Sequence, residues 1–279
     1  MRIRIWGSRG SLATPGPDTI RYGGNTSCIE VRRDDGGVIV LDAGTGIRPL
    51  GASLDGRARS RIDILLSHLH LDHLEGLGFF APLWDATAEL HIWGPPSPVR
   101  SLSDRIAQYL SPPLFPVRLA EVPARILLHD APEDPFALGS ATVRAAPIIH
   151  RGPTVGYRIE DGGATLAYLT DHEPARATAL ATAAPDWISG YAVAAGADLL
   201  IHDCQYTEGE YPERAGFGHS STDHVAAFAR LTGVRRLLLF HHDPNHTDDE
   251  LEALSDRVRR LWPDGSVDLA REGDEIDVG

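Results

Sequence analysis

The segment 68–73, HLHLDH, places three imidazoles and one carboxylate within six residues. It follows an apolar run, IDILL, that is typical of a buried strand. If that strand ends just before the segment, alternation puts His68 and His70 on the same side, while Asp72 and His73 lie in the turn beyond. Neutral imidazoles and a carboxylate oxygen suit zinc or a similar divalent ion. We therefore interpret these four side chains as metal ligands rather than as part of a solvated polar loop.

Three later residues repeat this placement directly after β-type runs: His150, Asp171 and His241. A pair of metal ions needs more ligands than one hexapeptide supplies, and loops at strand ends can aim side chains inward. We therefore expect these three residues to complete the site. Asp42 also ends a β-type run, where it is expected to orient a metal-binding histidine through a hydrogen bond.

The composition is that of an ordinary globular protein, with 279 residues, 42% of them hydrophobic and 23% charged. We expect one domain over residues 1–279. The 26 basic and 39 acidic side chains give a net charge of −13, which opposes nonspecific attraction to polyanions such as tRNA. No run of about eighteen apolar residues occurs. With only two cysteines, Cys28 and Cys204, these features favour a cytoplasmic protein without a membrane partner.

Eleven short β-type runs alternate with fewer helical segments along the chain. The runs are 2–6, 28–31, 38–41, 62–66, 89–93, 124–128, 142–148, 155–159, 165–169, 199–201 and 236–240. The helical segments are 46–51, 74–82, 99–110, 174–184, 221–232 and 248–261. The order strands, helix, strands occurs twice along the chain. It predicts an α/β fold in which two sheets are sandwiched between helices, a four-layer αββα arrangement.

The segment 94–123 stands apart because it holds seven prolines around an amphipathic stretch. Proline fixes φ and removes a backbone donor, so we expect a rigid, ordered excursion over the surface rather than part of a sheet. It could shape a substrate pocket, pack on a partner subunit, or serve only as a spacer.

The order of these residues resembles the metallo-β-lactamase fold hydrolases, and within them the ribonuclease Z and cyclic-nucleotide phosphodiesterase branch. The resemblance covers nearly the whole chain and implies the αββα sandwich of that superfamily. It implies two divalent metal ions, Zn²⁺ with Mn²⁺ as the alternative. By this resemblance the ligands are His68, His70 and His150 for the first metal, Asp72, His73 and His241 for the second, and Asp171 bridging both.

The branch also has an acidic residue and a Gly-His-Ser segment that assist proton transfer, and these match Asp203 and His219 here. Asp203 stands where the branch usually has glutamate. The other interpretation of His219 is a polar residue at a helix entry. His172, next to Asp171, is expected to contact substrate.

Three further histidines, His202, His242 and His246, are candidates to orient the metal ligands. The segment 7–11, GSRGS, fits either a phosphate-binding loop or a simple turn.

These residues predict a phosphodiesterase in which a metal-bound hydroxide attacks phosphorus, because zinc lowers the pKa of water toward about 7. Asp72 would orient the nucleophile, and His219, positioned by Asp203, would protonate the departing alkoxide. Lactam-hydrolysing relatives are exported and carry a different ligand at the position of Asp171, so they are disfavoured.

The expected substrate is a small cyclic phosphodiester, a 3′,5′-cyclic nucleotide in particular. Ribonuclease Z relatives process tRNA with a long arm between the third histidine and the bridging aspartate, and the β-type runs 155–159 and 165–169 leave no room for it. Within the branch, the segments 7–10, 22–27 and 154–160 resemble the anti-Pycsar-type phosphodiesterases that phages and bacteria carry against cyclic-nucleotide defence signals. The resemblance further implies a homodimer, with segment 94–123 bordering the partner's pocket.

Three alternatives remain open at this point. The first is a tRNA 3′-processing endonuclease of the ribonuclease Z type, and the second is a thioester hydrolase of the glyoxalase II type. The third is a non-catalytic nucleotide-binding protein, although it would be expected to have lost some of the seven metal-ligating side chains.

Overall fold

The computed structural model describes residues 1–54, 61–175, 180, 182 and 184–279. Within these residues the strands are β1 (Arg2–Gly7), β2 (Cys28–Arg32), β3 (Val38–Leu41), β4 (Arg61–Leu65), β5 (Glu89–Gly94), β6 (Arg125–Asp130), β7 (Phe136–Leu138), β8 (Ala141–Pro147), β9 (Val155–Asp161), β10 (Ala164–Leu169), β11 (Leu199–Asp203), β12 (Arg236–Phe240), β13 (Ser266–Leu269) and β14 (Glu275–Asp277). They form two sheets of seven strands, in the orders β14-β1-β2-β3-β4-β5-β6 and β13-β12-β11-β10-β9-β8-β7.

Both sheets contain a parallel block, and this decides where loops can meet. Strands β3 to β6 are parallel in the first sheet, and β10 to β13 are parallel in the second. Strand β8 runs antiparallel to β9, which runs antiparallel to β10, so β8 points the same way as β10. The carboxyl ends of these strands therefore lie at one edge of each sheet.

The helices are α1 (Ile47–Ser53), α2 (Leu102–Ala107), α3 (Tyr191–Ala194), α4 (Tyr211–Arg214), α5 (Thr222–Thr232) and α6 (Asp248–Leu261). The start of α6 follows from its sequence, because Thr247 and Glu250 form a reciprocal capping box. Helix α5 begins after Ser221, whose side chain accepts from the backbone N–H of His224, and ends at Gly233 with φ 65°. Among the described helices, none combines the length and the apolar character needed to span a lipid bilayer.

Three apolar clusters separate four layers. The central cluster joins Ile3 and Ile29 of the first sheet to Tyr157 and Ile201 of the second. A second cluster packs the outer face of the first sheet against α1 and α2, and a third packs the second sheet against α3, α5 and α6. The predicted αββα sandwich is therefore confirmed.

All eleven predicted strands are present, with ends within two residues of those predicted. The unpredicted strands β7, β13 and β14 each lie at a sheet edge and are three or four residues long. So short an edge strand, with one face in water, needs no continuous apolar run, and the pattern in the sequence is correspondingly weak.

Two helix predictions need correction. The segment 74–82 is not an α-helix but contributes to two 3₁₀ turns, Leu77–Phe79 and Ala81–Trp84. Glycine at 76 permits the chain to approach Gly44, because a Cβ there would lie 2.0 Å from the Gly44 carbonyl oxygen. The helix predicted over 99–110 is shorter, since it is capped by Ser101 and limited to α2. The helix predicted over 174–184 falls largely on residues outside the described part.

The proline-rich segment 94–123 is anchored to the first sheet. Its apolar side chains Leu102, Ile106, Leu110 and Phe115 are buried in the cluster on the outer face of that sheet. Other apolar side chains of the segment remain in solvent. The segment is therefore a packed excursion with an exposed outer surface.

Candidate metal centre

The loops at the shared edge of the two sheets bring together all seven residues predicted to bind metal. Each offers a ring nitrogen or carboxylate oxygen, and within each group these atoms lie within 4.8 Å of one another. The first group is His68, His70, His150 and Asp171, and the second is Asp72, His73, Asp171 and His241. Asp171 belongs to both groups, as a bridging ligand must.

The carboxylate of Asp171 faces the two groups with different oxygens. Its Oδ1 lies 3.0 Å from Nε2 of His73 and 3.1 Å from Nε2 of His241. Its Oδ2 lies 3.6 Å from Nε2 of His68 and 3.5 Å from Nε2 of His150. The side chain thus faces two adjoining groups of imidazoles, one through each of its oxygens.

Asp72 completes the second group from the opposite side. Its Oδ2 lies 3.1 Å from Nε2 of both His73 and His241. The same oxygen accepts a hydrogen bond of 2.7 Å from the backbone N–H of Ser11, the last residue of segment 7–11, for which this contact was not predicted. Ser11 has φ 60°, so a backbone conformation rare for a non-glycine residue is maintained beside the site.

The donor set fits a pair of divalent cations. Nε2 of His68 is buried and has no hydrogen-bond partner among the described residues. Burial lowers the pKa of His68, and it lowers the pKa of His150 to about 4, so both rings are neutral and present lone pairs. Burial also disfavours charge on His73, but Asp171, Asp72 and Asp42 outweigh it and raise its pKa. The pocket therefore favours a positive charge at that position.

Four of the histidines have their second ring nitrogen held by a neighbour, as metal-binding imidazoles usually do. The pairs are His68 Nδ1 with Ser67 Oγ at 3.0 Å, His73 Nδ1 with Asp42 Oδ2 at 2.8 Å, His150 Nδ1 with the Gly218 carbonyl at 2.9 Å, and His241 Nδ1 with Gln205 Oε1 at 3.2 Å. The sequence predicted the role of Asp42 alone. Ser67 could have been found from its position directly before the hexapeptide, whereas the other two come from a distant loop.

Asp42 is the most heavily bonded of these orienting groups. It is fully buried, with φ 59°, and accepts from the backbone N–H and the hydroxyl of Ser67 and from the hydroxyl of Tyr168 at 2.7 Å. These donors balance a charge that would otherwise be costly in the interior. Asp42 therefore holds the ring of His73 from a rigid position.

Two glycines are required by the approach of backbone to these rings. A Cβ at Gly10 would lie 2.4 Å from the ring of His241, and one at Gly218 would lie 2.4 Å from Nδ1 of His150. Both distances are too short for any side chain. The loops that carry these glycines are therefore fixed against the two histidines.

The segment 7–11 is an extended continuation of β1, in which Arg9 forms isolated bridges to Thr26 and His242, and it is not a phosphate-binding loop. The backbone N–H groups of Ser8 and Arg9 donate to the Asn25 carbonyl, and that of Gly10 donates to the His242 carbonyl. The Arg9 side chain is fully buried, so it does not face a ligand. These donors are used within the protein, so the phosphate-binding interpretation is wrong, and the bridges of Arg9 correct the simple-turn interpretation as well.

His219 and Asp203 form a pair beside the metal residues. Nδ1 of His219 lies 2.6 Å from Oδ2 of Asp203, and Nε2 points toward Oδ2 of Asp171 at 4.0 Å. Although shorter than glutamate, Asp203 reaches the ring directly, and its other oxygen accepts from the backbone N–H of Gln205 at 2.9 Å. Burial opposes a charge on His219, but Asp203 outweighs it and raises the pKa of His219 to about 9.

The expectation that His172 contacts substrate is wrong. Its side chain is fully buried, with Nδ1 2.9 Å from Nε2 of His202 and Nε2 3.1 Å from the hydroxyl of Ser189. Both ring nitrogens are therefore occupied within the protein. His172 instead contributes its backbone N–H, which donates to Asp203.

His202, His242 and His246, which were proposed to orient the metal ligands, form no hydrogen bond with those ligands within the described residues. His202 bonds to His172 and to the backbone, His242 to the Ala270 carbonyl, and His246 to Glu210. That expectation is also corrected. These rings fix the loops around the site rather than the ligands themselves.

Comparison with known proteins gives the family. The family model for the beta-lactamase superfamily domain matches residues 38–242. A ribonuclease Z from Mycobacterium sp. (strain KMS) is 29% identical over 250 aligned positions, which cover 83% of this chain and 81% of that protein. A ribonuclease Z from Haloarcula marismortui is 26% identical, with 99% of this chain and 96% of that protein covered.

Solved structures show the same fold at lower identity. The metallo-beta-lactamase fold protein YhfI from Bacillus subtilis superimposes with a TM-score of 0.70 at 19% identity, covering 100% of this chain and 98% of that one. The short form of human tRNase Z gives a TM-score of 0.66 at 21% identity, with full coverage of both chains. The chain belongs to the beta-lactamase superfamily, as a metal-dependent hydrolase of its ribonuclease Z and phosphodiesterase branch.

Proposed function

We propose that the protein is a dinuclear-metal phosphodiesterase that opens small cyclic phosphodiesters, in particular 3′,5′-cyclic nucleotides. The observation that carries this proposal is the position of Asp171 between two groups of imidazoles, next to the His219–Asp203 pair. The two groups offer positions for two cations, and His219 beside them offers a proton donor. Phosphodiester hydrolysis needs these groups together.

In this proposal His68, His70, His150 and Asp171 hold one divalent ion, and Asp72, His73, Asp171 and His241 hold the other. The imidazole-rich donor set favours Zn²⁺, with Mn²⁺ as the alternative. When bound, the ions supply Lewis-acid chemistry: they polarise phosphoryl oxygens and bring the pKa of water toward neutrality.

The protein's own groups supply orientation and the proton. Asp72, held by the backbone N–H of Ser11, orients the attacking water toward phosphorus. Nε2 of His219 faces the same space, and Nδ1 is fixed by Asp203, so the ring is placed to protonate the departing oxygen. His70 is exposed while the rest of its group is more buried, which leaves the site open to a ligand on that side.

The small substrate is supported by what lies between His150 and Asp171. Strands β9 and β10 fill this interval, joined by a tight turn at Gly162 and Gly163. The chain has no inserted arm there to hold a folded RNA. The net charge of −13 also supports a small substrate, because it opposes the approach of a large polyanion.

A second candidate is tRNA 3′-end processing, because the curated relatives described above carry the name ribonuclease Z. The alignment with the Haloarcula relative spans 322 positions, whereas this chain has 279 residues. That relative therefore carries insertions that this chain lacks. This difference favours the smaller substrate.

The experiment is a substrate panel with zinc- or manganese-loaded protein. The panel holds the 3′,5′-cyclic forms of AMP, GMP, CMP and UMP, bis-nitrophenyl phosphate and a 3′-extended tRNA. We expect ring opening that is lost in Asp72→Ala and kept in His129→Ala, which removes a histidine outside both groups. Cleavage of tRNA alone would overturn the cyclic-nucleotide proposal in favour of the second candidate.

We also propose that the protein acts as a homodimer through segment 94–123. Val99 and Leu114 of this segment are 82% and 71% exposed, and apolar surface of this kind is costly in water unless a partner covers it. Sedimentation equilibrium should give twice the chain mass. A monomeric mass with full activity would contradict this part of the proposal.

A further inference from the structure

Phe217 is an apolar ring in solvent at the edge of the candidate centre. It is 47% exposed, although it stands two residues before His219. Consecutive Cα atoms are about 3.8 Å apart, so its backbone lies within about 8 Å of that of His219. The residue therefore borders the candidate centre.

The loop that carries Phe217 is fixed. The Gly218 carbonyl accepts from Nδ1 of His150, and Gly218 has φ +93°, a conformation that favours glycine. The close contact between Gly218 and the ring of His150 leaves no space in which the loop could shift toward it. Phe217 is thus held in place by a residue that we assign to the metal centre.

The side chain of Arg151 covers part of the Phe217 ring. Its guanidinium carbon lies 4.6 Å from the ring centroid, and its Nε is directed at the Gly216 carbonyl at 3.5 Å. Arg151 directly follows His150 and forms no ion pair with a carboxylate in the described part of the chain. The pair therefore presents an aromatic surface and an uncompensated positive charge beside the site.

We propose that Phe217 and Arg151 form a nucleoside subsite, in which the base of the substrate stacks on the exposed part of the Phe217 ring. This inference rests on the proposed phosphodiesterase function and specifies which diesters are preferred. Every base has a π-face, so stacking on Phe217 favours nucleotides over simple diesters without selecting one base. Arg151 holds the ring and attracts the negative charge of the nucleotide.

The test compares two substrates with the same leaving group. Thymidine 5′-(p-nitrophenyl phosphate) contains a nucleoside, and methyl p-nitrophenyl phosphate does not. We expect Phe217→Ala to lower kcat/KM for the thymidine substrate by about 5- to 150-fold, the range for the stacking of one base, mainly through KM. The rate with the methyl ester should stay within about twofold, which also shows that the variant is folded, and Phe217→Trp should restore the preference.

Two control variants sharpen the result. Phe79→Ala removes another exposed phenylalanine, 61% exposed, in the 3₁₀ turn Leu77–Phe79, and should leave the preference intact. Trp187 is 87% exposed and is a competing platform, so selective loss in Trp187→Ala with none in Phe217→Ala would overturn the assignment. Equal losses for both substrates in Phe217→Ala would also overturn it.

A binding measurement separates this inference from the function on which it rests. If the loaded protein cleaves neither nitrophenyl diester and opens none of the cyclic nucleotides, the proposed function fails. Calorimetric titration with thymidine 5′-monophosphate then still tests the subsite, because Phe217→Ala should weaken binding by a similar factor of about 5 to 150. Unchanged affinity in that variant would refute the subsite.

Discussion

Nδ1 of His73 lies 2.8 Å from Oδ2 of Asp42, and both side chains are fully buried. The bond fixes the direction of the opposite nitrogen, Nε2, which faces Asp171 at 3.0 Å. Removing a hydrogen-bond partner of a metal-binding histidine typically costs about 10- to 100-fold in metal affinity. Asp42 is therefore expected to affect how tightly a metal ion is bound, although it belongs to neither group of candidate ligands.

Asp42→Asn should weaken the binding of one metal ion by about that factor while leaving the other close to its original affinity. Competition with a chromophoric chelator would resolve the two constants. Asp63→Asn is a matched control, because Asp63 is also buried but is bonded to Arg61 and Trp93 instead. Equal weakening by both substitutions would indicate a general effect of losing a buried carboxylate.

Asp171→Ala should lower the metal content below two ions per chain, because this carboxylate is the one group shared by both sets of donors. Atomic emission of the dialysed protein gives the stoichiometry. A chelator should lower the Tm of the original protein, since it removes ligands that bind the folded state, and should lower that of the variant less. Two tightly held ions in the variant would refute the bridging role.

His219→Ala should slow the hydrolysis of diesters with poor leaving groups by about 10²- to 10⁴-fold, the usual contribution of a general acid. The loss should be much smaller for nitrophenolate, which departs without a proton. Rates for cyclic AMP and a nitrophenyl diester measured on the same preparation make the comparison. Equal losses for both classes would remove the proton-donor role and leave His219 as a binding group.

Gly10→Ala should strongly reduce activity because the added methyl group would overlap the ring of His241 at 2.4 Å. The ring would have to move away from Asp72 and Asp171. The control is Gly16→Ala, where the nearest atom, Oγ1 of Thr19, is 4.0 Å away. Steady-state rates and metal content of the two variants test this, and similar values for both would show that the His241 ring is not confined as described.

Arg9→Met should lower the free energy of unfolding by about 3–5 kcal/mol, the cost of removing one partner of a buried ion pair. Arg9 is fully buried and lies 3.2 Å from Asp248, and it also donates to the His246 carbonyl. Arg21 contacts the same carboxylate but is about half exposed, so Arg21→Met should cost only about 0–1 kcal/mol. Urea unfolding of both variants gives the comparison, and equal small losses would contradict the role of Arg9.

The strands and the hexapeptide could be predicted because their signals are local. Each predicted strand carries its own apolar run, and the hexapeptide brings four donor side chains within six residues. Placement after a strand was also enough for His150, Asp171 and His241, because parallel strands end at a common edge. The layer order then followed from the alternation of strands and helices.

What could not be predicted depends on contacts between distant parts of the chain. Three hydrogen bonds of the site join residues far apart in the chain. The Gly218 carbonyl contacts His150 across 68 residues, and Gln205 contacts His241 across 36. The backbone N–H of Ser11 donates to Asp72 across 61 residues. A carbonyl or an N–H carries no sequence signal, since every non-proline residue has both. The prediction that His172 contacts substrate was wrong for a related reason. Its neighbour Asp171 faces the site, but the ring of His172 is turned into the interior.

The metal groups draw on both sheets, with the hexapeptide after β4 in one and His150, Asp171 and His241 after strands of the other. His73 and His241 stand 168 residues apart in the chain. The full set of candidate ligands therefore comes together only when strands of both sheets have paired, and pairing over such long sequence separations is slow. Under the proposed function, hydrolysis would therefore report that both sheets have assembled, because an incomplete chain lacks part of the ligand set.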